Sequence, residues 1–336
     1  WFADWSPTFS TEVKVSRRNY ESEPDNNSRM PVVALNVASG TTARTLTFGT
    51  ERSRHFNELA TKANDLYLGA NLRLGAHEVK AGVDITRIDV FNAFLQDTLG
   101  NYTFTGATEP ATLDNFAAGI PSTYSVQVAS PGFTLDDGVA RWKLGNTGLF
   151  AQDTWKINND LRVLLGLSVD RIDMSEQDVL NAAAAATPVP GVVTTNTRAT
   201  GGFGLDNRVT PDGKQLVQPR VGFNWTLKNL FKDDLRGQLR GGFGLFQGAA
   251  ANVWLSNPYS NNGVATRVVG CGIPGFPACS AAIYNPDPAQ QPTNFTGATG
   301  AANVDFLASN VRQPSVWKAS LALDHELPWW GLVAGA

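Results

Sequence analysis

The chain has 336 residues, room for one large β domain or two ordinary ones, and its formal net charge of −3 argues against a nucleic-acid binder. Charged residues make up 17%, below the roughly 25% usual for soluble domains. No continuous apolar window of about 18 residues occurs, so a transmembrane helix is excluded. A β protein that meets lipid and water on alternate residues is not.

Residue 1 is a tryptophan with no basic stretch or apolar run behind it of the kind that makes a signal peptide, and residues 331–336 stop within a rising strand. The chain is therefore expected to be an internal piece of a longer protein. Residues 7–18 alternate, with Phe9, Thr11, Val13 and Val15 on one side and Ser10, Glu12, Lys14 and Ser16 on the other. Residues 19–42 lose the pattern, gather Pro24, Asn26, Asn27, Pro31 and Gly40, and read as a long loop with a short extended piece at 32–37. Strand character resumes near Arg44 and runs to Gly75, interrupted around 52–60. In its second half Leu66, Leu68, Ala70, Leu72 and Leu74 face one way, and Asp65, Tyr67, Gly69, Asn71 and Arg73 the other. After a turn at 75–77, Val79, Ala81, Val83 and Ile85 alternate with Lys80, Gly82, Asp84 and Thr86. Residues 96–141 are loop-like, punctuated by Pro110, Pro121 and Pro131, with one helical turn at 113–118.

A strand over 143–155 leads into the hairpin QDTWKINNDLRVLLGLSVD. After its turn residues Asn158, Asn159 and Asp160, Leu161, Val163, Leu165, Leu167 and Val169 fall on one face, with Arg162, Leu164, Gly166, Ser168 and Asp170 on the other, polar or small apart from Leu164. A third loop, 175–215, holds the alanine run 182–186. Val217, Val221, Phe223 and Trp225 then alternate with Gln218, Arg220, Gly222 and Asn224. Beyond a turn at 228–234, Leu239, Phe243 and Leu245 alternate with Arg236, Gln238, Arg240 and Gly242. The fourth and longest loop covers 248–313. In the last strand, 316–324, Trp317, Ala319, Leu321 and Leu323 form the apolar face before a turn at Pro328.

Connections thus alternate long and short. Loops beyond about 15 residues are uncommon inside compact domains. An outer-membrane barrel gathers them at its extracellular rim and keeps its periplasmic turns short. The reading is an all-β, antiparallel transmembrane β-barrel segment of about eight or nine strands. Leu66, Leu68, Leu72, Val79, Val83, Leu161, Val163, Leu165, Leu167, Phe223, Leu239, Phe243, Leu321 and Leu323 are expected to face lipid. Arg73, Lys80, Asp84, Arg162, Asp170, Arg220, Arg236 and Arg240 are expected to face the lumen. Trp155, Trp225, Trp329 and Trp330 lie beside short turns, where an interfacial girdle runs; the competing reading has them cap a soluble core. So charged and glycine-spaced an inner face suits a wide barrel whose lumen holds water or a polar domain.

Cys271 and Cys279 bound the segment CGIPGFPAC in the fourth loop. The spacing favours a disulfide over metal ligation or free thiols, and a bridge closing so short a loop contributes about 2–3 kcal/mol. His55, His77 and His325 are scattered, fit no metal-ligand spacing and read as surface or turn histidines. Asp136 and Asp137 are weighed as one side of a loop cation site, Asp233 and Asp234 as a solvated turn. The runs 201–204 and 241–244 fail the GxGxxG pattern, so no nucleotide cradle, cofactor or metal site is expected, and no enzyme. Ligand contact is expected in loops, from Trp254, Tyr259, Phe276 and Tyr284 in the fourth and from Tyr102, Phe104, Phe116 and Tyr124 in the second. The bland alternative for each is packing of the loops against one another.

The segments TGLFAQDTWKINNDLRVLLGLSVD, QLVQPRVGFNWTL followed by LRGGFGLFQG, and QPSVWKASLALDHELPWWGLVAGA resemble the barrel of TonB-dependent outer-membrane receptors. HEVKAGVDITRIDVFNAFLQDTLGNYTF is similar to the Oar-like (OmpA-related) branch. The resemblance covers most of residues 63–336 and implies a partial receptor-like barrel domain over 1–336, from a barrel of about 22 strands. Such receptors sit in the Gram-negative outer membrane, carry a plug and import an extracellular ligand with energy passed on by the TonB complex. No TonB box, plug or N-terminal domain is present in this sequence, so no coupling residue can be named. The rival readings are a passive channel or adhesin on the same barrel, and a secreted soluble β-sandwich binding protein.

Overall fold

The computed structural model describes residues 1–39, 42–175, 177, 179–188, 193–194, 197–198, 202–228, 235–296 and 303–336. The strands are β1 (Phe2–Ser6), β2 (Phe9–Ser22), β3 (Val32–Ser39), β4 (Thr42–Phe48), β5 (Phe56–Leu74), β6 (His77–Leu95), β7 (Asn101–Thr105), β8 (Thr123–Ala129), β9 (Ala140–Lys156), β10 (Leu161–Met174), the two-residue pair β11 (Val193–Thr194) and β12 (Thr197–Arg198), β13 (Gln215–Lys228), β14 (Arg236–Gln247), β15 (Thr266–Cys271), β16 (Ser315–Glu326) and β17 (Val333–Gly335). Helices α1 (Glu109–Ala117), α2 (Ala182–Ala185) and α3 (Asn252–Ser260) lie in the long connections.

Ten strands form one antiparallel sheet in the order β1-β2-β5-β6-β9-β10-β13-β14-β16-β17, which does not close on itself. Each neighbour in the sheet is also the next long strand in sequence. In such a meander every second connection emerges at the same rim, so the four long ones share one rim and the short turns the other. Two turns show how the sequence sets this up. Gly75, at φ +60, closes the two-residue link between Leu74 and His77. Asn158 Oδ1 accepts from the backbone N–H of Asp160 (2.8 Å) and Leu161 (2.9 Å), an Asx turn that reverses β9 into β10.

Register fixes which side chains share a face. Phe9, Leu72, Val79, Asp153, Leu165, Val221, Phe243 and Ala319 stand opposite one another across eight strands. The parallel row on the other face is Asn71, Lys80, Gln152, Gly166, Arg220, Gly244 and Lys318. One face is therefore apolar and the other polar. The apolar one is not sealed by any second layer: Val15 is 76% exposed, Leu149 61% and Leu321 71%. The sheet curls toward its polar face. Gln247 Nε2 donates to Asn146 Oδ1 (3.3 Å) although two strands lie between β14 and β9. In a flat sheet three spacings of about 4.8 Å hold such residues roughly 14 Å apart, beyond the reach of two short amides.

Residues expected to be loop form much of a second, five-stranded sheet, β15-β8-β7-β3-β4, at the long-connection rim. The stretch 42–48 pairs with β3 there rather than continuing into β5, and 101–105 and 123–129 are strands. Residues 1–6 add an edge strand that short length concealed. The turn 228–234, with Asp233 and Asp234, lies almost wholly outside the described residues.

Gly82 tests the close packing of the polar face. A Cβ there would meet the Leu68 carbonyl oxygen at 2.2 Å and the Phe150 ring at 2.7 Å, whereas at Gly166 the nearest atom is 3.7 Å away. Gly82→Ala is expected to cost about 1–3 kcal/mol and Gly166→Ala well under 1. Guanidinium unfolding midpoints of the two variants check this.

Candidate functional site

The strands β5, β6, β9, β10 and β13 bring their inward side chains to one depression of about 380 Å³ on the polar face. It is lined by Tyr67, Lys80, Asp84, Phe150, Gln152, Ser168, Asp170 and Arg220. The Tyr67 and Phe150 rings stack at 5.7 Å and give it a flat apolar floor. Lys14 and Lys80 stand over the Tyr67 ring at 5.1 and 5.6 Å, and both approach Glu12, at 2.8 and 3.8 Å. Asp170 accepts from Asn146 Nδ2 (2.8 Å) and from Gln218 Nε2. Arg220 donates to Ser168 Oγ (3.2 Å) and lies over the Phe246 ring, while its Nε is buried with no partner. Mixed charge with an aromatic floor suits a polar solute or polypeptide surface.

Toward the long-connection rim the inward side chains change character. Ile88, Val90, Trp142, Leu144, Ile172 and Met174 form an apolar patch on which Leu255 and Tyr259 of α3 pack. Trp142 Nε1 donates to Ser256 Oγ (2.9 Å), and the Tyr259 hydroxyl donates to the Ser175 carbonyl. The fourth long connection is thus seated on the inner face, on the long-connection side of the depression.

The second sheet has its own core, Val33, Leu35, Tyr102, Phe104, Tyr124, Val126, Val269 and Cys271. Tyr102 donates to Gln291 Oε1 (2.7 Å) and Tyr124 to the Pro292 carbonyl (3.0 Å). Burial pushes the Tyr102 phenol up to about 12 and raises that of Tyr124, so both act as neutral donors. Cys271 and Cys279 are disulfide-bonded, Cα atoms 5.0 Å apart, and tie the proline-rich segment to the edge of β15. His55 and Asp97 join this lobe to the large sheet. The backbone N–H of Leu99 donates to His55 Nδ1 (3.1 Å), so Nε2 carries the proton and donates to the Thr50 carbonyl (3.0 Å). Asp97 accepts from Arg52 (2.7 Å) and Asn101 (3.1 Å).

At the opposite rim Trp155 and Trp225 stand on the apolar face, and Trp329 and Trp330 occupy the turn between β16 and β17. Trp1 and Trp5 pack edge to face at 5.9 Å on the first hairpin, where the Trp5 indole N–H donates to Thr11 Oγ1 (2.8 Å). Trp155 also stacks on His77, whose Nδ1 lies 2.7 Å from Asp153 Oδ2.

A family model described as outer membrane beta barrel domain matches residues 5–334. The chain belongs to this outer-membrane β-barrel family. No curated protein matches it significantly. Among solved structures, the copper transporter OprC matches with a TM-score of 0.40 and 13% identity, over 95% of this chain and 37% of that one.

Within this outer-membrane barrel sheet, register puts all eight expected lumen residues on the polar face and all fourteen expected lipid residues on the apolar one. Only Lys80, Asp84, Asp170 and Arg220 share the depression. Arg73, Arg162, Arg236 and Arg240 lie nearer the short turns, where Arg240 pairs with Asp324 (2.9 Å). The loop aromatics need correction. Phe276 and Tyr284 pack on the lobe core, Tyr259 is buried between α3 and the inner wall, and Tyr102, Phe104 and Tyr124 are wholly buried. Trp254, 63% exposed, alone of the four in the fourth loop stays open to contact. His55 and His325 are buried rather than superficial, because loop and strand partners that no local spacing announces close over them. Asp136 pairs with Arg141 and Asp137 accepts from Thr134, whose backbone N–H holds the Asp137 carboxyl below its usual range; neither is left for a cation.

Burial lowers the His55 pKa against the opposing pull of Asp97 and Glu51. Neutral His55 therefore supports the junction above the unfolded value near 6.5, and that support is lost as pH falls through the lower folded value. Hydrogen exchange at the Leu99 amide, corrected for its intrinsic rate, should accelerate on acidification while amides at the centre of β5 and β6 do not.

Proposed function

We propose that this chain is part of the wall and mouth of an active outer-membrane importer, a TonB-dependent receptor of the Oar-like kind, and that it performs no chemistry of its own. The long connections face the outside and the short turns the periplasm. Further strands complete a barrel of about 22, whose lumen a plug occupies and through which the TonB complex is engaged. The ligand is extracellular and is met first at the mouth, where Trp254 is available.

The observation that carries this reading is the covered inner face. A charged lumen wall alone serves a passive channel equally well. Here α3 is packed on the inner wall above the charged depression, and the lobe has a buried core and a disulfide. A mouth built that way suits capture and gated passage better than free diffusion. A soluble sandwich is disfavoured by an apolar face that nothing covers.

The full-length protein in planar bilayers with potassium chloride is expected to show no steady conductance steps, and in cells to form a formaldehyde adduct with TonB. Steady open channels without such an adduct would favour the passive-channel reading instead.

A further inference from the structure

We propose that the apolar face carries, at its edge toward the long connections, a binding belt for the phosphates of an outer-leaflet lipid headgroup. This rests on the reading that the long connections lie outside the cell.

The placement of charge on the two faces differs. On the polar face cations occur along the strand length, from Arg18 and Lys14, opposite Ala63 and Tyr67, to Lys80 and Arg73. On the apolar face of the large sheet, among the described residues, the lysines and arginines are Arg17, Lys62, Arg87, Arg141, Lys143 and Arg171. All belong to the five adjacent strands β2, β5, β6, β9 and β10. They begin where the apolar rows end: Arg171 stands in the row of Val15, Leu66, Ile85 and Thr147, and Arg17 and Arg87 in the next. From Leu74 up to Leu66 the apolar band runs roughly 27 Å along the strand at about 3.4 Å per residue, or roughly 20 Å of depth at a tilt near 40°. The opposite edge of the band carries tryptophans and the His77–Asp153 pair, with no lysine or arginine among the described residues. One edge is aromatic and the other cationic, so general interfacial placement of long side chains does not account for both.

Four carboxylates, Glu21, Glu58, Asp89 and Asp173, share the cationic edge on these strands, and two of them are ion-paired there. Those two ion pairs are long and exposed: Lys143 to Asp89 at 3.6 Å and Arg171 to Asp173 at 3.4 Å. Pairs of that kind contribute little and exchange readily for a phosphate, whose oxygens accept two guanidinium N–H bonds at once. Arg87 is laid flat. Its NH1 donates to the Thr86 carbonyl (3.0 Å), and a Cβ at Gly145 would come within 2.6 Å of that nitrogen, so the glycine makes room for it. Beside it Lys62, Asp89, Phe91, Arg141 and Lys143 border a depression of about 460 Å³, with the Arg141 guanidinium over the Phe91 ring at 4.8 Å. That volume admits a sugar phosphate. Acyl chains attached to it would run down the apolar band directly beneath.

The test uses the purified full-length protein and the variant K62Q/R87Q/K143Q/R171Q. Melting temperature is followed with diphosphoryl lipid A, with the same lipid stripped of phosphate, and with inorganic phosphate. The belt predicts a rise of several degrees for wild type with the diphosphoryl lipid, no comparable rise with the stripped lipid, and loss of the difference in the variant. An equal rise with both lipids, or an undiminished one in the variant, overturns it. An equal rise with inorganic phosphate overturns the lipid as the source. Should the variant fail to fold, native mass spectrometry of wild type decides: retained diphosphoryl over stripped lipid supports the belt, and equal retention refutes it. Labelling of Trp254→Cys on whole cells with an impermeant maleimide separates the two readings. Absence of label refutes the orientation, and with it the outer leaflet; labelling without phosphate selectivity refutes the belt alone.

Discussion

In-register pairing of eight neighbouring strands, from β2 to β16, enforces a single alternation of side chains across the sheet, and the rest of the molecule is arranged around it. Because the side-chain period is two, a slip of one residue in β10 would turn Leu165 and Leu167 inward and present Ser168 and Asp170 to the other side. The hairpins hold that register locally through Gly75 and Asn158, and the cross-strand rows hold it globally. In an outer-membrane barrel the cost of error is steep, since a lysine or arginine facing the bilayer centre costs about 2–4 kcal/mol. That cost explains why cations on the apolar face are confined to its edge.

The same strands change the nature of their inner face partway along. Asp84, Asp170 and Arg220 give way to Ile88, Trp142, Leu144 and Met174 within a few residues. This change decides what the long connections do. An apolar inner patch must be covered, and α3 covers it; strands of the first, second and fourth connections build a sheet around Tyr102, Phe104 and Tyr124. Buried hydroxyls in that sheet are all satisfied across long sequence distances, as between Tyr124 and Pro292. The mouth is consequently a folded unit resting on the wall rather than a set of separate loops.

The wall was legible in the sequence because its strands are half in and half out, so period two is written directly in stretches such as Leu66 to Leu74 and Leu161 to Val169. The lobe was not, for a physical reason. Its strands are mostly short, between turns rich in glycine and proline, and β7 pairs in parallel with β3 across 61 intervening residues that no local pattern connects. Tyr102 and Tyr124 carry no mark distinguishing a core tyrosine from a ligand-contacting one until the sheet brings their rings to 4.4 Å. The cationic edge is hidden in the sequence for a different reason. Arg17, Arg87 and Arg171 continue the alternation of the lipid-facing residues, and only the register across strands shows that they end the apolar rows together.

Single-cysteine scanning of residues 65–74 in β5, in the full-length protein in native outer membranes, tests the two-faced wall most directly. Each site is given a small spin label and measured against water-soluble and lipid-soluble relaxing agents. Accessibility to the lipid-soluble agent should peak at positions 66, 68, 70 and 72 and fall between them, opposite in phase to the water-soluble agent. A flat profile, or equal access of the water-soluble agent to both sets of positions, would contradict a sheet that meets lipid on one face only.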